Sequence, residues 1–449
     1  MIRKMPKDNN KRNIKVLIFF IIVILGYHLL LREYVGDFIE MFAPLMKKDS
    51  LVVALGKRYA NWSSRVLIEA PLILLSHNNS IILWKIFNFS IWLALAFSLM
   101  YLTHHKNDTM LIGMLLMYPV IDMASAGWIA TYINYLWPLT AGCVSLIALD
   151  KMYHNKKIYC GEAIGYLVLE LFATNFETFA VMYECILLWY IWSLFYEKRF
   201  ELKRFIFCML QVIVATVGII FALTCPGNFV RKQQEIGRWL IDFTQWTLVD
   251  KVVMGINTTM HSLFDANLLF AVFLVVLFCC CLYTKKLEKC VVGIIPIIFL
   301  ATRTVLKPVI AIYFPVYNQI FDANDKINSI NYNKGCMYVP FIIYMSMLVC
   351  VIWIILNIIK EIKKSIEFVV IFVSALLTRI AIGFSPTLYA SGNRTFIFLN
   401  FTLIFLSVCI YSEYEMRIRD DKKIYRILKS LFICVVGISV LGNLISINR

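Results

Sequence analysis

Apolar runs long enough to cross a bilayer dominate this chain, and the loops between them alternate in character. A spanning helix needs ~20 predominantly apolar residues, and about thirteen such runs can be traced from Ile14 to Ile447. The loops fall into two classes in strict alternation. One class is short and basic. The other is longer and carries Trp, Tyr, Asn, Asp and isolated Arg. Of the 44 Lys and Arg, 26 lie in the basic class. They begin with Arg3, Lys4, Lys7, Lys11, Arg12 and Lys15 and end with Arg417, Arg419, Lys422, Lys423, Arg426 and Lys429. The positive-inside rule places this class in the cytoplasm. The expected architecture is an all-α, polytopic bundle of about thirteen transmembrane helices in the cell membrane. Its N-terminus would be cytoplasmic and its C-terminus extracytoplasmic.

Composition supports that class and removes others. Hydrophobic residues make up 61% of the 449, and mean hydropathy is +0.75. The net charge of +16 would suggest nucleic-acid binding in a soluble protein. Here the cytoplasmic loops account for it, and no nucleic-acid partner is expected. No inter-span segment is long enough for a soluble domain, so residues 1–449 read as one membrane domain. Residues 32–80 form its first extracytoplasmic loop, and 225–267 and 307–336 form further outer loops.

The 13 Cys make no disulfide framework, since most fall inside apolar runs where Cys acts as a small hydrophobe. A Cys225–Cys336 bridge between outer loops stays open. No CxxC spacing points to zinc. The run Ile14–Leu31 is long for a signal peptide and lacks a small-x-small cleavage site, which favours a retained anchor.

Spans three, Met110–Ile121, and five, Glu162–Ala173, are the shortest runs. Losing both would leave the orientation of later spans unchanged. Val66–Ser76, with Pro71 inside it, is too short to span and reads as interfacial or re-entrant. Leu51–Arg58 reads as interfacial. Span four is expected at Tyr135–Leu149, with Asn134 at its start as a cap.

The outer loops hold the polar motifs. Asp37 and Glu40 follow span one within a few residues, and Arg65 closes the same loop. A carboxylate there can act as a general base if burial raises its pKa, or it can be a solvated loop acid. Asn134-Tyr135-Leu136-Trp137-Pro138 offers a stacking platform for a sugar ring, or an ordinary interfacial aromatic belt. Glu177 breaks spans five and six. A carboxylate at membrane depth is costly unless it faces a polar cavity. Cys225-Pro226-Gly227-Asn228, with Arg231 after it, can present backbone N–H groups and a guanidinium to a phosphate, or can simply end a helix. Arg303 and Arg379 lie near span ends and either line a cavity or snorkel outward. Ser385-Pro386-Thr387 leads to Arg394. Arg is the side chain best suited to bidentate phosphate recognition. Arg65, Arg231, Arg303, Arg379 and Arg394 on one face therefore suggest an anionic lipid-phosphate ligand.

Asn134–Pro138, Pro226-Gly227-Asn228 with Arg231, and Ser385-Pro386-Thr387 with Arg394 together resemble an uncharacterised bacterial family of multi-pass membrane proteins. That family is itself similar to the GT-C glycosyltransferases. The resemblance runs from Tyr34 to about Tyr411. It implies a GT-C-like fold and transfer of a sugar from a polyprenyl-phosphate donor to a cell-envelope glycan or lipid. It also implies that Asp37 takes the acceptor proton and that Arg side chains hold the lipid phosphate. Many such proteins carry two adjacent acids where this chain has Gly36-Asp37, and Glu40 could supply the second. No cofactor is expected, with a divalent metal left open. The expected partners are membrane lipid and a polyprenyl-phosphate-linked sugar, with the oligomeric state open. An O-antigen-type polymerase or ligase, or a transporter or flippase of lipid-linked glycans, are the alternatives. The transporter class predicts inverted repeats and midplane charges, and neither is visible in the sequence.

Overall fold

The computed structural model describes residues 7–47, 49–199, 201–323, 331 and 333–448. Arg3 and Lys4 lie outside the described residues, as do positions 324–330 and 332 of the 307–336 loop. Helices are the regular structure of the described residues, with no strand among them. All thirteen Cys are described and all are free thiols, so no Cys225–Cys336 bridge forms. The chain divides into two compact units, Met1–Phe229 with Lys423–Arg449, and Val230–Lys422.

Eight helices are long and apolar enough to cross a bilayer, and two bent helix pairs raise the number to ten. In the first unit these are Ile81–Leu102, Trp128–Tyr153, Glu177–Tyr196, Leu202–Leu223 and Lys422–Ile447. The side chains show which faces of these helices point outward. Along Leu202–Leu223, Ile206, Leu210, Ile213, Val217 and Ile220 are exposed at helical spacing, while Cys208, Gln211 and Ala215 are buried. A continuous apolar stripe of this kind facing outward is stable against hydrocarbon and not against water.

Trp128–Tyr153 is the enclosed helix of this unit. It packs against Ile81–Leu102, Cys160–Thr174 and Glu177–Tyr196. It starts earlier than the Tyr135 expected from the sequence. A π-turn spans Tyr132–Leu136, one residue ahead of Pro138. Proline has no N–H to donate and its ring crowds the preceding turn, and the widened turn absorbs both effects without ending the helix. The chain's last helix is tied to this unit by Asn443. Its Oδ1 accepts from the Val120 N–H at 3.0 Å and its Nδ2 donates to the Tyr118 carbonyl at 2.9 Å.

The shortest expected spans form short helices. The third run makes Asp108–Leu116, nine residues. At 1.5 Å per residue that is ~14 Å, about half the hydrocarbon thickness. The fifth makes Cys160–Thr174, 15 residues. Val66–His77 forms a 12-residue helix with Pro71 inside it, as expected for a segment too short to span. Leu51–Asn61 is a helix started by the Ser50 side chain, which accepts from the Val53 N–H.

In the second unit the long apolar helices are Gly335–Ile358, Ile362–Phe384 and Asn393–Asp420. Asn393–Asp420 is the central one, with 83% of its apolar window buried. It packs between Leu268–Leu282 and Ile362–Ile380. The bent pairs are Leu248–Ala266 with Leu268–Leu282, at 79°, and Leu287–Arg303 with Lys307–Tyr313, at 72°. Asn267 makes the first bend. It ends one helix and caps the next, with its Oδ1 accepting from the Phe270 N–H at 2.8 Å.

Candidate functional site

The segment after the first apolar helix folds against the start of Trp128–Tyr153. A helix N-terminus leaves backbone N–H groups without intrahelical partners. Gly127, in the N-cap position, has no side chain to satisfy them. Glu33 does so instead, with Oε2 accepting from the Trp128 N–H at 2.8 Å and the Ile129 N–H at 3.2 Å. Glycine is required here for two reasons. Gly127 has φ +83°, and a Cβ on it would stand 2.3 Å from Glu33 Oε1. Gly36, at φ +122°, crosses directly over it, since a Cβ there would be 2.7 Å from Gly127 Cα. The Asp37 N–H then donates to the Ala126 carbonyl at 3.1 Å.

This packing buries Glu33 and leaves Asp37 half-buried. Removal from water pushes the Glu33 pKa from 4.5 up to about 7, against the two backbone N–H bonds, and the nearby Asp37 carboxylate adds to the rise. Glu33 Oε1 is buried and makes no hydrogen bond among the described residues. Glu40 lies one turn further on, in the Phe38–Phe42 π-turn, and is exposed. The acid close to Asp37 is therefore Glu33, which precedes the loop motif noticed in the sequence.

A second polar cluster in the same unit joins residues from three loops. Arg65 grips Glu177 bidentately, with Nε–Oε2 at 2.9 Å and Nη2–Oε1 at 2.6 Å. Its guanidinium lies 3.8 Å from the Phe176 ring centre, and Tyr135 packs against the same ring at 5.1 Å. Burial alone would lower the Arg65 pKa, but the Glu177 carboxylate overrides it and raises the value. Asn175 fastens this loop to the Val66–His77 helix. Its Oδ1 accepts from the Leu67 N–H at 2.9 Å, and its Nδ2 donates to the Ser64 carbonyl at 3.0 Å. Asn228 joins the rim, donating to Ser64 Oγ at 3.3 Å and to the Ala222 carbonyl at 2.8 Å. Gly227 is pressed against the end of Leu51–Asn61, where a Cβ would stand 2.4 Å from the Trp62 N. Pro226-Gly227-Asn228 is thus the first turn of the Pro226–Trp239 helix, not the end of the helix before it as the sequence allowed, and it docks on Leu51–Asn61.

Beneath this cluster lies an ion pair that the sequence reading did not single out. Arg58 and Glu69 are both buried and bonded at 2.7 and 2.8 Å, with Phe42 and Trp62 packed on the guanidinium. A charge inside each of two short apolar helices is the signal that could have revealed it. Asn134 lies mid-helix, and its side chain donates to the Ala130 carbonyl one turn back, not at a helix start. The sequence reading is corrected on that residue.

The second unit holds the remaining arginines. Arg303 is fully buried and bonded to Asp265 at 2.7 Å through both Nε and Nη2, and to Asp322 at 3.0 Å. Lys307 also reaches Asp265, at 3.1 Å. Arg379 is buried with its guanidinium 4.7 Å from the Phe396 ring centre, and Arg231 and Arg394 are half-buried. Of the five arginines expected to face an anion, Arg65 and Arg303 are thus already bound bidentately by carboxylates. His261, Asp265 and Asp322 are close enough together to share a metal ion. Arg303 and Lys307 already neutralise both carboxylates, which disfavours a further cation there.

Comparison with protein-family models, with curated proteins and with solved structures finds no match to the chain.

Proposed function

We propose that the protein is a GT-C-like glycosyltransferase of the bacterial cell membrane. In this proposal about thirteen membrane segments include the shorter helices, and the N-terminus is cytoplasmic. The reaction moves a sugar from a polyprenyl-phosphate donor to an envelope glycan or lipid outside the cytoplasm. The observation that carries the proposal is the Glu33–Asp37 acid pair, held immediately after the first apolar helix. Glu33, with a pKa near 7 and one buried oxygen without a hydrogen bond, suits a general base at neutral pH. It would take the proton of the acceptor hydroxyl as that oxygen bonds to the sugar's anomeric carbon. The bond from that carbon to the phosphate oxygen breaks, and polyprenyl phosphate leaves as the anion. Burial keeps Glu33 basic, and the nearby Asp37 carboxylate adds to that.

The test is mass spectrometry of envelope glycans in a deletion strain. Wild-type protein should restore a missing sugar, while Glu33→Gln and Asp37→Asn, shown to insert normally, should not. An unchanged profile on deletion, or full restoration by both variants, would refute the proposal.

One observation favours transport as a second reading. Glu170, in the Cys160–Thr174 helix, is fully buried, and neither of its oxygens accepts a hydrogen bond of normal geometry, although the Gln211 amide lies beside it. Buried intramembrane acids mark proton and ion paths. Proton uptake by proteoliposomes that is lost in Glu170→Gln would support this reading.

A further inference from the structure

Two helices of the first unit end side by side in the same backbone motif, and each presents an imidazole to one carboxylate. Ile81–Leu102 closes with the His105 N–H bonded to the Met100 carbonyl and the His104 N–H to the Tyr101 carbonyl, both at 2.9 Å. Trp128–Tyr153 closes with the Lys156 N–H on the Lys151 carbonyl at 2.8 Å and the Asn155 N–H on the Met152 carbonyl at 3.2 Å. Both are Schellman endings, in which the residue after the cap takes a left-handed conformation that glycine prefers. In the first helix His104 occupies that position, at φ +54°.

The side chain reaches Asp150. His104 Nε2 is 3.4 Å from Asp150 Oδ1, and His154 Nδ1 is 3.2 Å from the same oxygen. The two rings meet edge to face, 4.9 Å between centres. The ligand atoms of all three residues lie within 4.8 Å of one another. Tetrahedral zinc, with bonds of about 2.0–2.2 Å, has edges of roughly 3.3–3.5 Å between ligand atoms. The His104–Asp150 separation falls in that range, and the His154–Asp150 separation, at 3.2 Å, lies just below it. We propose that His104, Asp150 and His154 bind one divalent transition-metal ion, of the zinc class, that ties the ends of these two helices together.

Imidazole nitrogen with a single carboxylate is a donor set for zinc and its neighbours, not for calcium or magnesium. Asp150 is nearly buried and both imidazoles are half-open, so a water can complete the coordination. The C-terminal ends of two helices also favour a cation at this point. Two interactions oppose binding. His154 Nδ1 lies 3.0 Å from the Asp150 carbonyl and gives up that bond if it ligates. Lys156 Nζ stands 3.6 Å from Asp150 Oδ2, although it is also held by the Tyr101 hydroxyl at 2.9 Å.

The test uses the full chain in detergent, stripped with EDTA and titrated with Zn2+ alone. Wild type should bind one ion per chain, and Co2+ in its place should give the visible bands of a tetrahedral site. His104→Gly should weaken zinc binding at least about tenfold, the lower end for loss of even an outer-shell partner. The same variant should raise thermal stability in EDTA, because glycine suits the backbone there. Asp150→Asn and His154→Ala should weaken binding similarly, and His77→Ala and His261→Ala should not. Lys156→Ala should tighten it by removing a competing cation. No binding by wild type, or wild-type affinity in both His104→Gly and His154→Ala, would overturn the proposal.

Discussion

Replacing Glu69 by alanine would strand the Arg58 guanidinium in the interior of the first unit. The two side chains are 9% and 4% exposed and share two charge-assisted bonds at 2.7 and 2.8 Å. Breaking a buried pair from one side costs about 3–5 kcal/mol, because the remaining charge has neither water nor partner. The Phe42 and Trp62 rings lie 4.8 and 5.5 Å from the guanidinium carbon and still attract it. Each such contact contributes ~0.5–2 kcal/mol, which places the expected loss near the lower end of that range. The neighbouring Lys57–Asp49 pair is shorter, at 2.6 Å, yet its lysine is 61% exposed. Water and salt screen it, so Asp49→Asn should cost under ~1 kcal/mol. Arg58→Met with Glu69→Leu removes both charges and keeps the volume. It should recover most of what Glu69→Ala loses. Equilibrium unfolding in mixed detergent micelles would measure all three. The reasoning fails if Glu69→Ala costs no more than Asp49→Asn, or if the double replacement is as damaging as the single one.

Gly127→Ala should destabilise by about 1–3 kcal/mol through its positive φ and its clash with Glu33 Oε1, whereas Gly26→Ala, in open helical surroundings, should gain about 0.5–1 kcal/mol. Shifts of the same sign in the unfolding midpoints of these two variants would contradict the packing at Gly127. The Glu33 pKa lies above its unfolded value, so protonation stabilises the fold. That contribution is complete below about pH 4.5 and is lost as pH rises through about 7. The difference is on the order of 3 kcal/mol, and Glu33→Gln should flatten the unfolding midpoint across that interval.

The apolar helices were legible because they are local features, set by run length. The number of crossings was less so. Asp108–Leu116 is as apolar as a spanning helix but is buried in protein, and composition does not distinguish a lipid face from a protein face. Asn134 looked like a cap and Tyr135 like a helix start, because Asn favours caps, but the helix begins at Trp128 and passes Asn134 in a π-turn ahead of Pro138. The site residues were recognised one at a time, and their partners were not. Glu33 meets the Trp128 and Ile129 N–H groups from about a hundred positions away, and Arg65 meets Glu177 over a similar separation, so no spacing rule links them. Asp37 drew attention as an acid just beyond a span. Glu33 did not, because nothing in the sequence says that it will be drawn out of water onto a helix N-terminus.

The most direct test of the account is release of polyprenyl phosphate by the purified protein from a polyprenyl-phosphate sugar in the presence of envelope acceptor lipids. Wild type should release it with a rate that rises with pH through about 7, as Glu33 loses its proton. Glu33→Gln should lower the rate by roughly 10²–10⁴ and abolish that rise, which is the span of a general-base contribution. Release that is unaffected by Glu33→Gln, or that keeps the same pH profile without this carboxylate, would contradict the central claim.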